Sequence, residues 1–190
     1  MPFPDELARG LAVVPYNPRW PDAFVALAGS VTAALGPLAV AVDHIGSTAV
    51  PGLAAKDCID IQVRVTDLDE DSIVCCFERI GFRARPEPWN RAENTAGRTW
   101  AKLVFAPPAS ERASNIHVRH TASEAARRNL LFRDFLRANA AACDAWGDFK
   151  QRLALFAPDI YRYGQAKAGP TEILMIAAES WASDIGWTVP

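Results

Sequence analysis

The chain is poor in the residues that build covalently stapled or metal-held folds. Its 190 residues include only four cysteines and three histidines. Cys58, Cys75, Cys76 and Cys143 form no CxxC pair and none of the usual zinc spacings, which excludes a zinc ribbon or a thioredoxin-like motif. Cys75 and Cys76 are adjacent in a helical pattern, so all four are read as reduced core residues of a cytoplasmic protein. Excess charge is missing too: 20 Lys and Arg against 22 Asp and Glu leave a net charge of -2. No global field draws nucleic acid, and any anion site has to be local. Apolar runs break well short of the roughly 20 residues that a membrane helix needs, so no membrane span is expected. The opening MPFPDELARG is acidic and contains proline, unlike a secretory leader. Internal repeats and low-complexity segments are absent as well.

What is present is a chain that is 50% hydrophobic, enough for one substantial core. LAVVPYN reads as a short strand. In the following segment Trp20, Phe24, Leu27, Val31 and Leu35 recur every three or four residues, which is one apolar helical stripe closed by Gly36-Pro37. LAVAVDHIG and CIDIQVRV read as strands, and DEDSIVCCFERIGF as a helix with an acidic first turn, ended by Gly81. Strands are expected at Phe82 to Arg85, Thr99 to Ala106 and Asn115 to Arg119, with NRAENTAGR as a mobile polar loop. Thr121 and Glu124 have capping-box spacing and predict a helix start. Two further helices are expected over about Cys143 to Phe156 and Gly164 to Trp181. The fold class is therefore α/β (α+β). A mixed-sheet core over about 1–120 carries a helical part over about 121–190, together one domain over 1–190.

Candidate site residues cluster around HIGSTAVPGLAAKDCIDIQVRV. Gly46-Ser47 ends a strand, and a glycine there lets backbone approach a phosphate while serine adds a hydroxyl donor. Lys56, beyond the second glycine Gly52, is either a phosphate-neutralising cation or a solvated surface lysine; the residues alone leave both open. Asp60 and Gln62 share one strand face by the period-two rule, with Ile59, Ile61, Val63 and Val65 opposite. Two carboxylates so placed would hold the paired metals of phosphoryl transfer, but Gln62 brings a carbonyl oxygen without charge. His117 and Arg119 share a face in NIHVRH, and Arg98, Trp100 and Lys102 alternate in RTWAK as a second cationic edge that could face the same cleft.

Gly-Ser, twelve residues, then Asp-Ile-Gln-Val resembles the pattern of the nucleotidyltransferase superfamily. More closely, the chain resembles the GrpB family, which also occurs as an extension of some bacterial dephospho-CoA kinases. The matching segments are VVPYNPRWPDAF, DHIGSTAVPGLAAKDCIDIQV, RTWAK, NIHVR, LLFRDFLRAN, FKQRLA and YGQAK, the last containing Tyr163 and Lys167. The resemblance implies a nucleotidyltransferase-like core with an added helical part. It also implies a phosphate role for Gly46 and Ser47, a metal role for Asp60, and His117 as a possible third ligand. The expected metal set is Asp60, Gln62 and His117, for magnesium, manganese or zinc, with Asp60 and His117 as catalytic candidates. The expected ligand is a nucleotide or CoA-like molecule held by Gly46, Ser47, Lys56, Arg98, Lys102, Arg119, Tyr163 and Lys167. Because glutamine stands where active transferases carry a second acid, two functions stay open. One is metal-dependent nucleotidyl transfer; the other is a non-catalytic binding or folding-accessory module with a protein partner on its helical part.

Overall fold

A computed structural model describes residues 3–95 and 97–190. Strands β1 (Ala41–Ile45), β2 (Ile59–Val65), β3 (Arg83–Ala84), β4 (Ala92–Thr95), β5 (Arg98–Ala106) and β6 (Ser114–His120) form a mixed sheet in the order β1-β2-β6-β5-β3. Strand β4 pairs with β5 outside that path. Among the described strands only β2 and β6 run parallel. Helices α1 (Pro4–Leu7), α2 (Trp20–Leu35) and α3 (Glu70–Arg79) precede the last strands, and α4 (Glu124–Ala138), α5 (Ala140–Phe156) and α6 (Ile160–Ile185) follow them.

The alternation in β2 decides what lies on each side of the sheet. Ile59, Ile61, Val63 and Val65 are fully buried and pack, with Ile116, Val118 and Phe105, against α2 and α3. Burying each such side chain contributes about 1.5–3 kcal/mol. Trp20, Val31 and Leu35 of the α2 stripe reach this core, with Phe24 and Leu27 partly buried beside them. The opposite face is polar and is covered by the helical half, whose Ala126 carbonyl in α4 accepts from Gln62 Nε2 at 3.2 Å. A second core joins Val50 and Leu53, from the loop before β2, to Leu131, Phe135, Trp146 and Met175.

Several boundaries differ from the sequence reading, each for a local reason. LAVVPYN contributes only a bridge between Val14 and Ala55, since Pro15 has no N–H to extend a ladder. Helix α4 starts at Glu124 with Ser123, not Thr121, as its N-cap. The segment read as a mobile loop contains β4, hairpinned to β5 with Asn94 opposite Thr99; residue 96 lies outside the described residues, as do 1 and 2. Helix α6 continues through Pro170 over 26 residues. All four cysteines are free, but only Cys143 is buried and Cys75 is exposed. Among the described residues one stretch, Trp20–Leu38, is long and apolar enough to cross a membrane, with a mean hydropathy of 1.3. It contains α2, which turns its stripe into the core.

Candidate functional site

The Gly-Ser turn is shaped by what lies beneath it. Gly46 has φ +69°, and a Cβ there would sit 2.6 Å from Asp60 Oδ2. Only glycine allows the turn to lie directly on the carboxylate. Behind the turn, His44 stacks on Phe24 with centroids 4.6 Å apart, and its Nε2 is 3.0 Å from Thr48 Oγ1. Burial, then Arg137 and Arg133, push the His44 imidazole down to about 4, so it is neutral. Those two arginines of α4 fasten the segment from outside. Arg133 donates to the His44 carbonyl at 3.1 Å and Arg137 to the Ala49 carbonyl at 2.7 Å.

A small cavity of about 40 Å³ opens at this turn, walled by Ser47, Lys56, Asp60, Lys150, Tyr163 and Lys167 among others. Lys150 is 1% exposed, and its Nζ donates to Ser47 Oγ at 2.7 Å and to the Ala54 carbonyl at 2.5 Å. Lys167 lies 4.9 Å from the Tyr163 ring centroid. Among the described residues none of the three lysines is within ion-pair distance of a carboxylate. Burial and Lys167 push Lys150 down to about 7; burial and Lys56 push Lys167 down to about 8. Burial raises the Tyr163 phenol to about 12, so it stays protonated. Buried cations without counter-ions are costly unless an anion joins them.

Asp60, Gln62, His117 and Arg119 do share one face of the sheet, because Asp60 pairs with Asn115, Gln62 with His117 and Arg64 with Arg119. Their surroundings nevertheless separate them. The residue opposite Asp60 is Asn115, whose Nδ2 donates to Asp60 Oδ1 at 2.9 Å. Gln62 is fully buried. Its Oε1 accepts from Arg119 at 3.3 Å, and its Nε2 also reaches Asp43 Oδ2 at 3.4 Å. His117 borders a different cavity from Asp60, and its Nδ1 is buried without a partner. Burial, then Arg119, Lys102 and Arg85, hold the His117 imidazole well below its usual range. Among the described residues no group of three or more His, Cys, Asp and Glu side chains could hold a metal ion. The donors Asp60, Gln62 and His117 therefore do not fit a divalent metal: the glutamine oxygen already faces a cation.

The expected cationic edge is also spent elsewhere. Arg119 is 4% exposed and grips Glu93 of β4 with bonds of 2.7 and 3.0 Å, while Lys102 reaches the same carboxylate at 3.2 Å. Burial pushes Glu93 up, but the two cations outweigh it and hold it below the usual range. Arg98 is exposed and stacks over Trp100 at 4.2 Å, away from the cavity. Of the expected ligand residues, Ser47, Lys56, Tyr163 and Lys167 line one cavity with Asp60, and Gly46 adjoins it. Arg98, Lys102 and Arg119 do not line it. Lys150 was missed. Its signal was present, since it falls in phase with Cys143, Trp146 and Gly147 on the buried stripe of α5.

One expected result follows from the position of Gln62. Replacing it by Glu places a second carboxylate against Asp43 and removes the bond to the Ala126 carbonyl. Gln62→Glu should lower stability by about 1–3 kcal/mol, and added magnesium should not restore it. Recovery of the melting temperature with magnesium but not with sodium at equal ionic strength would place residue 62 in a metal shell after all.

The family model of the GrpB protein matches residues 10–175. The chain belongs to the GrpB family. A UPF0157 protein of Halalkalibacterium halodurans is 34% identical over 174 residues, 90% of this chain and 83% of that one. A dephospho-CoA kinase of Mycobacterium tuberculosis is 36% identical over 155 residues, covering 72% of this chain but 38% of the kinase. The chain thus spans less than half the length of that relative. The crystal structure of the conserved protein GrpB from Enterococcus faecalis superposes with a TM-score of 0.75 at 29% identity, covering 89% of this chain and 99% of that one. The mixed α/β architecture with helices on both sheet faces is therefore that of a GrpB protein.

Proposed function

We propose that this GrpB protein binds a small phosphate-bearing molecule, such as a nucleotide or a CoA-like ligand, in the cavity between the Gly46-Ser47 turn and helices α5 and α6. The observation that carries this reading is the convergence of Lys56, Lys150 and Lys167 on one small space that holds a single carboxylate, Asp60. Three lysines against one carboxylate leave this wall with an excess of cationic groups, suited to a phosphate. The Ser47 hydroxyl and Lys150 ammonium supply charge-assisted hydrogen bonds. Nucleotidyl transfer through paired metals is the weaker reading, because Asp60 is the sole carboxylate among the described residues lining this cavity.

A second reading, a partner docked on the helical part, is favoured by the exposed Leu155, Phe156, Tyr161, Ile173 and Ile176 of α5 and α6. A cytoplasmic location is proposed from the free, partly exposed cysteines, which suit a reducing compartment.

Phosphate, pyrophosphate, ATP and CoA, titrated calorimetrically into the full chain, test the first reading. At least one should bind, and Ser47→Ala combined with Lys56→Ala should weaken it roughly 10-fold or more; the ligand-free protein should lose about 1–3 kcal/mol, because buried Lys150 loses its Ser47 acceptor. Undiminished binding in the double variant would move the cradle elsewhere.

A further inference from the structure

The lysine cavity has room for one phosphate group and little else. Its volume of about 40 Å³ is that of a few waters, since one water needs roughly 10–15 Å³. A second cavity of about 660 Å³ opens beside it, within the usual range of about 300–1,000 Å³ for small-molecule sites. The two cavities share Lys56 and Cys58 as walls. Helix α6 runs from one to the other, with Ile160 on the larger and Tyr163 on the smaller.

The larger cavity is a poor place for further phosphates. Its arginines are engaged: Arg85 with Glu6 at 2.6 Å, Arg112 with Asp57, and Arg9 with the Glu111 carbonyl at 3.1 Å. What it offers instead is apolar wall from Val14 and Val104, the half-exposed indole of Trp89 and the imidazole of His117. The buried Nδ1 of His117 has no hydrogen-bond partner. With Nδ1 buried, His117 meets the cavity through the rest of its ring, as part of the wall. An exposed indole face is a stacking platform for a flat ring.

We propose that the two cavities form one bipartite site for a phosphate monoester with a planar heteroaromatic body of nucleoside size. The phosphate lies among the three lysines, and the body lies in the larger cavity against Trp89 and His117. This rests on the phosphate reading above and narrows it to a single phosphate group. The test is calorimetry on the full chain with inorganic phosphate, ribose 5-phosphate, the four common nucleoside 5′-monophosphates and their triphosphates.

At least one monophosphate should bind 10-fold or more tighter than both phosphate and ribose 5-phosphate, and its triphosphate should bind no tighter. Trp89→Ala should bring that monophosphate to the affinity of ribose 5-phosphate and leave inorganic phosphate unchanged. Monophosphates no tighter than ribose 5-phosphate, a triphosphate 10-fold tighter, or an indifferent Trp89→Ala would each overturn the bipartite site while the phosphate reading stands. Failure of every probe here would overturn the bipartite site, and failure of pyrophosphate and CoA as well would overturn the phosphate reading.

Discussion

Gly46→Ala should abolish phosphate binding and cost the free protein about 3 kcal/mol. Two penalties coincide at this position. The backbone sits at φ +69°, and the new methyl would fall 2.6 Å from Asp60 Oδ2 and 3.0 Å from Asp60 Cβ. Either the turn lifts or the carboxylate rotates away from Asn115, and both open the cavity. Gly52→Ala separates the two penalties. Gly52 has φ +82°, but nothing lies within 4 Å of an added Cβ. It should cost only the conformational part, roughly 1–2 kcal/mol, and leave phosphate binding intact. Chemical denaturation paired with calorimetry on both variants measures the difference. Equal losses of binding would mean that the contact with Asp60 does not shape the site.

Lys150→Met should behave in the opposite way, losing the ligand without losing the fold. Methionine fills a similar volume, and removing a buried cation that has no carboxylate partner offsets the lost bonds to Ser47 and the Ala54 carbonyl. Phosphate affinity should fall roughly 10- to 100-fold, with stability at pH 7 changed by about 1 kcal/mol or less. The pH dependence carries a sign. Folded Lys150 releases its proton at about 7, against an ordinary value of 10.5. Between those limits the unfolded chain holds more protons, so the contribution of this group makes stability rise with pH. Lys150→Met should flatten that rise. A bound phosphate recharges the lysine, so affinity should fall from pH 7 to pH 9 in the parent and do so less steeply in the variant. Identical pH profiles for binding would remove Lys150 from the site.

The strands were legible where one side of the sheet is apolar. The alternation of Ile59, Ile61, Val63 and Val65 placed Asp60 and Gln62 together, and the paired register with β6 bears that placement out. What period-two phase does not carry is which neighbour each side chain touches. Gln62 and Arg119 share a face with Asp60 yet bond to each other, because Glu93 draws the arginine toward β4. The sequence there reads as a loop: Glu93 and Asn94 have low strand propensity, and pairing with β5 overrides it. Lys150 illustrates the converse. A lysine in phase with buried positions reads as an interruption of an apolar stripe until Ser47, far away in sequence, supplies its partner. The family resemblance points to Tyr163 and Lys167, which helical periodicity leaves on an unremarked face.

The bond from Lys150 to Ser47 spans 103 residues, and that separation orders events on the ribosome. The sheet is complete once His120 has emerged. Lys167 follows roughly 50 residues later, about 2 to 10 s at the usual translation rate of about 5–20 residues per second. During that interval the helices that cover the face bearing Asp60, Gln62 and Arg119 are incomplete, and the Gly46-Ser47 turn lacks Lys167. At the proposed site a nascent chain should therefore bind no phosphate until α6 has docked, and phosphate binding on stalled chains of increasing length would report the arrival of α6.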